Sequence, residues 1–124
     1  MMRLVIIFIL CSLTSCASIE RKNVEHDQQK EIFRDWVLSR CLSYTFTDKN
    51  QKQDALNTAS AYLEQSTLSV EQLLSTEPLI KKYLSRNYQG SIKGTFNTKK
   101  CIDLFNSKEL DDLYNSLKNK RSVP

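Results

Sequence analysis

Histidine occurs once in these 124 residues, glycine twice, proline twice and tryptophan once. Each shortage removes a class of function. Cysteine or serine nucleophiles of the usual kind need a histidine to take the proton, and the only one, His26, sits in a polar stretch near the N-terminus. A phosphate-cradling loop needs glycines clustered ahead of a helix in a set pattern, which Gly90 and Gly94 do not form. A zinc site would need carboxylates to complete it, because one histidine and the few cysteines fall short of a ligand set. The adjacent acids Asp111 and Asp112 lie on a predicted helix, where their side chains diverge by about 100° and form no catalytic pair. The net charge is only +4 and no basic block occurs, so nothing marks a nucleic-acid surface. No metal and no cofactor is expected.

Long apolar runs are missing too, and the one short run has a specific form. The chain begins MMRLVIIFILCSLTSCAS, with one positive charge at Arg3, apolar side chains from Leu4 to Leu10 and small residues after them. That order predicts a secretory signal, its apolar part well below the roughly 20 residues of a membrane-spanning helix. Leu13-Thr14-Ser15-Cys16 resembles the lipobox of bacterial lipoproteins, which implies cleavage before Cys16 and a lipid on its sulfur. Ordinary cleavage after Ala17 is the alternative. Ala17 stands where some inner-membrane lipoproteins carry aspartate, so the expected location is the periplasmic face of the outer membrane. The expected organisation is a signal over 1–15, a lipidated N-terminus and tether over 16–30, and a helical domain over 31–124. Loss of Arg3 with the signal takes the net charge from +4 to +3. Residues Ile19 to Lys30 are polar, and His26 among them is expected in solvent.

Of four cysteines, Cys11 leaves with the signal and Cys16 is acylated or removed, so Cys41 and Cys101 remain. Two cysteines exported to an oxidising compartment most simply pair with each other.

The rest of the chain has the period of helices. From Asp27 to Phe46 the residues Phe33, Trp36, Val37, Cys41 and Tyr44 recur three and four apart, which predicts a helix with Cys41 and Tyr44 on its buried stripe. Between Asp48 and Gln65, Ala55, Ala59, Tyr62 and Leu63 predict a second, with Asp48 as its N-cap. Ser69-Val70-Glu71-Gln72 has the form of a capping box and opens a third. Pro78 leaves two possibilities: a kink in that helix, or a fresh start capped by Ser75 or Thr76. Lys99 to Phe105 predicts a short helix with Cys101, Ile102 and Phe105 inward, and Ser107, Leu110, Leu113, Tyr114 and Leu117 a last one. Lys81-Lys82 and Lys99-Lys100 are expected on helix surfaces. The expected fold is all-α, a small single-domain bundle of four to six helices with one disulfide.

Both glycines fall in one connection, NYQGSIKGTFN, between two predicted helices. Glycine there permits a tight excursion with positive backbone angles. On the residues alone the segment is either a plain interhelical turn or an exposed binding loop. An exported helical domain with no catalytic equipment is a binding protein, or a structural envelope lipoprotein or adaptor.

Three blocks narrow that choice. Tyr88 to Ser91 with Gly94, Phe96 to Thr98, Lys100 to Leu104 and Ser107 to Asp111 resemble the family-four amidase immunity proteins of type VI secretion. Trp36 to Leu42 and Ala59 to Glu64 are similar to that family's first two helices, in the same order and at comparable separations. The resemblance implies a periplasmic protein that binds an injected peptidoglycan amidase and blocks its active-site cleft, itself without catalytic activity. It also implies homodimers, with a loop of one subunit entering the cleft. On this sequence that loop is Gln89, Gly90, Ser91, Ile92, Lys93, Gly94, Thr95, Phe96 and Asn97.

Overall fold

The computed structural model describes residues 14–121, with side chains described from Glu20 to Lys120. Most of the expected signal, with Cys11, and the Cys16 side chain lie outside the described residues. Six helices follow one another: α1 (Thr14–Thr45), α2 (Lys49–Gln65), α3 (Val70–Leu74), α4 (Glu77–Leu84), α5 (Asn97–Phe105) and α6 (Lys108–Arg121). Among the described residues there is no strand.

The long helix α1 is the spine, and α2, α4, α5 and α6 all pack on it. Phe33, Val37 and Cys41 from its apolar stripe have no solvent exposure, and Trp36 is buried with them as a core anchor. They meet Ala59 of α2, Leu73 of α3, Ile80 of α4, Leu104 of α5 and Leu110 of α6 in one cluster. The small side chains of Ala55 and Ala59 let α2 lie close along α1.

Local chemistry sets the helix ends. Asp48 accepts a hydrogen bond from the Gln51 amide at 2.9 Å and starts α2. Ser69 and Gln72 form the expected capping box: the Ser69 hydroxyl accepts from the Gln72 amide, and Gln72 Oε1 accepts from the Ser69 amide. Gln72 also donates to the Leu117 carbonyl at 2.8 Å, so the cap of α3 is tied to α6. Replacing Ser69 with alanine removes one half of that box, and a loss of about 1 kcal/mol is expected, read as a Tm drop of a few degrees. At Pro78 the chain makes a fresh start: α4 begins at Glu77, with Pro78 in its first turn and the fully buried Thr76 as cap residue. Thr76 turns its hydroxyl back onto the Leu73 carbonyl at 2.7 Å, which closes α3.

Two expectations are corrected here, those for His26 and Tyr44. The polar stretch 19–30, expected to link lipid and domain, is helical, and its end is docked. Gln29 donates to the Gln65 carbonyl at 3.1 Å and accepts from the Thr67 amide at 2.8 Å, while Lys30 pairs with Asp111 at 2.9 Å. His26, expected in solvent, is half-buried with its ring edge-on to Tyr114 at 5.7 Å between centroids. The physical reason is propagation: no glycine or proline interrupts residues 14–45, so a helix nucleated on its apolar half extends through polar residues at little cost. The second correction is Tyr44. It is 45% exposed, and its hydroxyl donates to Glu77, whose other oxygen accepts from Arg40 Nε at 2.8 Å. Bonding to the Glu77 carboxylate raises the phenol's pKa. Its phenol thus ends the stripe as a polar link between α1 and α4.

Candidate functional site

Cys101 and Cys41 form the expected disulfide, with the two Cα atoms 5.6 Å apart and no exposure of either residue. It fastens the middle of α5 to α1. A second attachment lies one turn further on: the Arg34 guanidinium donates twice to the Phe105 carbonyl, at 3.0 and 2.8 Å, and stacks over the Phe105 ring at 4.4 Å. The last carbonyl groups of a helix need partners from outside it, and Arg34 supplies one for α5. The helix that follows the glycine connection is therefore held rigidly from behind.

Between Leu84 and Asn97 the chain has no helix, and its middle stands out from the body. Ser91, Ile92, Lys93, Gly94 and Thr95 are all exposed, Ile92 at 76%. Both flanks are secured. Tyr88 donates its hydroxyl to Asp103 Oδ2 at 2.6 Å, and Lys99 donates to the same oxygen at 2.7 Å while lying 5.0 Å over the Tyr88 ring. Those two donors, Lys99 first, hold the Asp103 carboxyl below its usual range. The node is therefore intact above the ordinary carboxylate pKa and is lost as pH falls through the depressed value. Earlier in the flank, Arg86 stacks on Tyr83 at 3.5 Å and faces Glu109 at 3.6 Å. Glu109 also accepts from Lys82 and, at 3.0 Å, from the Tyr83 hydroxyl, and these donors lower its pKa.

The glycines work differently from the expectation. Neither has a positive φ; the residue that does is Phe96, at φ 53° and ψ 31°. Gly90 is needed for close approach instead. A Cβ there would stand 3.0 Å from Phe96 Cζ, so the missing side chain is what lets the phenylalanine ring fold back over the strand of loop leaving α4. A left-handed conformation costs a residue with a side chain about 1–2 kcal/mol, and the half-buried ring offsets it. A Cβ at Gly94 would make only an ordinary contact, 4.0 Å from the Phe96 amide nitrogen.

Two further expectations change on α5. Lys100, expected at the surface, is buried, and its ammonium donates to the Leu84 carbonyl at 3.1 Å and to Asn97 Oδ1 at 3.4 Å. Ile102, expected inward, is 48% exposed. The buried stripe runs through Lys100, Cys101 and Leu104, and Ile102 is turned about 100° from Cys101. Tyr88 lies beyond the end of α4 at Leu84 and braces the loop.

The loop is thus exposed and firmly anchored at both ends on a helical body. Comparison with known proteins identifies the family. Residues 31–114 match the model of the Tai4 family, described as type VI secretion system amidase immunity protein. The chain belongs to this family. Its matched span runs from the second half of α1 into α6 and contains the whole loop. Among solved structures, one of the effector–immunity system Tae4/Tai4 from Salmonella typhimurium is 44% identical, covering 70% of this chain and 86% of that one, with a TM-score of 0.66. A complex of the Salmonella typhimurium effector Tae4 with the Enterobacter cloacae immunity protein Tai4 is 32% identical, covering 68% and 88%, with a TM-score of 0.64. A structure of type VI-secreted toxins and self-resistance proteins from Serratia marcescens is 33% identical, covering 71% and 73%, with a TM-score of 0.65. No curated protein sequence matches the chain.

The Tai4 resemblance pointed to Gln89–Asn97; of these, Gln89 to Thr95 are exposed, Phe96 is half-buried, and Asn97 opens α5. Lys100, Asp103, Arg34 and Arg86 were missed as the loop's supports. A signal for Lys100 existed: it precedes buried Cys101 and stands four residues before Leu104, which puts it on the inner side of any helix that buries both.

Proposed function

We propose that this Tai4-family protein guards the periplasm by inserting loop 89–97 into the active-site cleft of a type VI secreted peptidoglycan amidase. The observation that carries the reading is the loop itself, a protrusion exposed from Ser91 to Thr95 and anchored at both ends. A loop already held in shape loses little entropy on docking, so a few side chains give high affinity. Solved complexes of Tae4 effectors with Tai4 proteins support the partner class. In this reading the signal is cleaved before Cys16, the lipid places the domain at the outer membrane's periplasmic face, and two copies pair as a homodimer. The polar half of α1 is then the spacer between lipid and domain.

The test is inhibition of the Salmonella typhimurium Tae4 amidase by the purified chain on peptidoglycan, with binding followed by calorimetry. Tight, stoichiometric inhibition is expected. Replacing Ser91 and Lys93 together with alanine is expected to weaken binding about tenfold with Tm unchanged, since both side chains are exposed. Unaltered affinity in that folded double variant would remove these two side chains from the interface.

A further inference from the structure

The loop's shape depends on its neck, where the chain leaves α4 and enters α5. The last turn of α4 offers four carbonyl groups without helical partners. Three of them are satisfied close by: Lys81 by the Ser85 amide, Lys82 by the Ser85 hydroxyl at 2.8 Å, and Tyr83 by the Arg86 amide at 3.2 Å. The fourth, Leu84, is met only by the Lys100 ammonium, at 3.1 Å, from a residue 16 positions later. The same ammonium reaches Asn97 Oδ1, at 3.4 Å, at the opposite side of the neck. Among the described residues no carboxylate pairs with Lys100, and the nearby aromatic face is that of Tyr88, 5.9 Å from the nitrogen. A buried cation without a counter-ion is costly, so the Leu84 carbonyl, at the negative end of α4, and Asn97 Oδ1, at the start of α5, have to hold it in place.

We propose that Lys100 is a positioning residue for effector recognition: one buried ammonium clasps the two ends of the loop and presets its shape. The role differs from that of the neighbouring disulfide. The disulfide fixes α5 against α1, whereas Lys100 fixes α4's end against α5's start. Methionine at position 100 keeps the apolar stem and removes the charge, which leaves the Leu84 carbonyl without its donor. Arginine keeps a cationic donor of sufficient reach. The clasp's effect on binding rests on the reading of the loop as the amidase-contacting element, but its effect on loop order does not.

Two measurements on the oxidised full chain separate these. Amide hydrogen exchange of the free protein is expected to speed up about tenfold at the bonded amides of the loop's neck, those of Ser85, Arg86 and the first turn of α5, in Lys100→Met, with α1 and α2 unchanged, and to return most of the way in Lys100→Arg. Binding to the Salmonella typhimurium Tae4 amidase is expected to show about tenfold faster dissociation for the methionine variant and near-normal dissociation for the arginine variant. Unchanged exchange at those neck amides, or a rise spread equally over all helices, would overturn the clasp. If the methionine variant fails to fold, the arginine variant decides: neck protection below one-third of the unmodified chain's overturns the proposal. Loosened neck amides with unchanged dissociation would leave the clasp standing and count against the loop as the amidase contact.

Discussion

Replacing Cys41 and Cys101 together with alanine is expected to lower unfolding free energy by up to about 4 kcal/mol, the largest stability loss foreseen for any pair of side chains here. The two residues are separated by 60 positions and both are fully buried. Chain-entropy arguments make such a cross-link act chiefly on the unfolded state, where it removes the freedom of the whole intervening segment. That segment contains α2, α3, α4 and the loop. Set against a usual total of roughly 5–15 kcal/mol for a domain, a loss of that size is about a quarter to four-fifths of the stability. Urea denaturation of the oxidised chain, the chain with dithiothreitol and the double-alanine variant is the measurement. The two thiol-free or reduced forms should unfold together at much lower urea. A shift below about 1 kcal/mol would mean that Arg34, Phe33 and Leu104 hold α5 on α1 without covalent help. Such a bond persists in oxidising compartments, which is where the proposed export would put this domain.

The parts of this fold legible in the sequence are those decided within a few residues. Asp48 and Ser69 cap helices because their side chains meet amides three positions away, and the apolar stripe of α1 repeats at helical spacing. Cysteine pairing was legible by elimination, since two thiols remained. What stayed hidden depends on contacts distant in sequence. Polar residues 19–30 carry no apolar period, and only docking of Gln29 on the α2–α3 connection and of Lys30 on Asp111 fixes the end of that stretch to the body. Tyr44 left the core because Glu77, 33 residues later, offers its hydroxyl an acceptor. Lys100 entered the interior because Leu84 needed a donor, a need that appears only once α4 is known to stop there. Glycine's freedom of φ suggested a left-handed turn at Gly90 or Gly94, and the structure places it at Phe96 instead. The glycine pattern thus marked an exposed loop, and the structural use of Gly90 there is the room it leaves for a ring.

Changing Ile92 to glutamate is expected to weaken amidase binding by a hundredfold or more while leaving Tm within a degree or two. Ile92 is 76% exposed at the loop's outer end and touches nothing that the fold requires, so the folded state has little to lose. Single exposed apolar residues are ordinary on protein surfaces. This one sits on an anchored protrusion, beside Lys93 and between Gly90 and Gly94, where it would be the first large apolar group to enter a cleft. Burying an isoleucine side chain contributes about 1.5–3 kcal/mol, and a carboxylate in its place would have to shed water without a partner. The two effects together correspond to at least two decades in Kd at about 1.4 kcal/mol per decade. Ile102, 48% exposed on α5, provides the comparison: the same change there should alter binding much less if the loop tip alone enters the cleft. Equal losses at both positions would extend the interface along α5. A loss at Ile102 with none at Ile92 would move recognition off the loop and on to the face of α5 beside Lys99 and Asp103, where an exposed apolar residue already adjoins a charged pair.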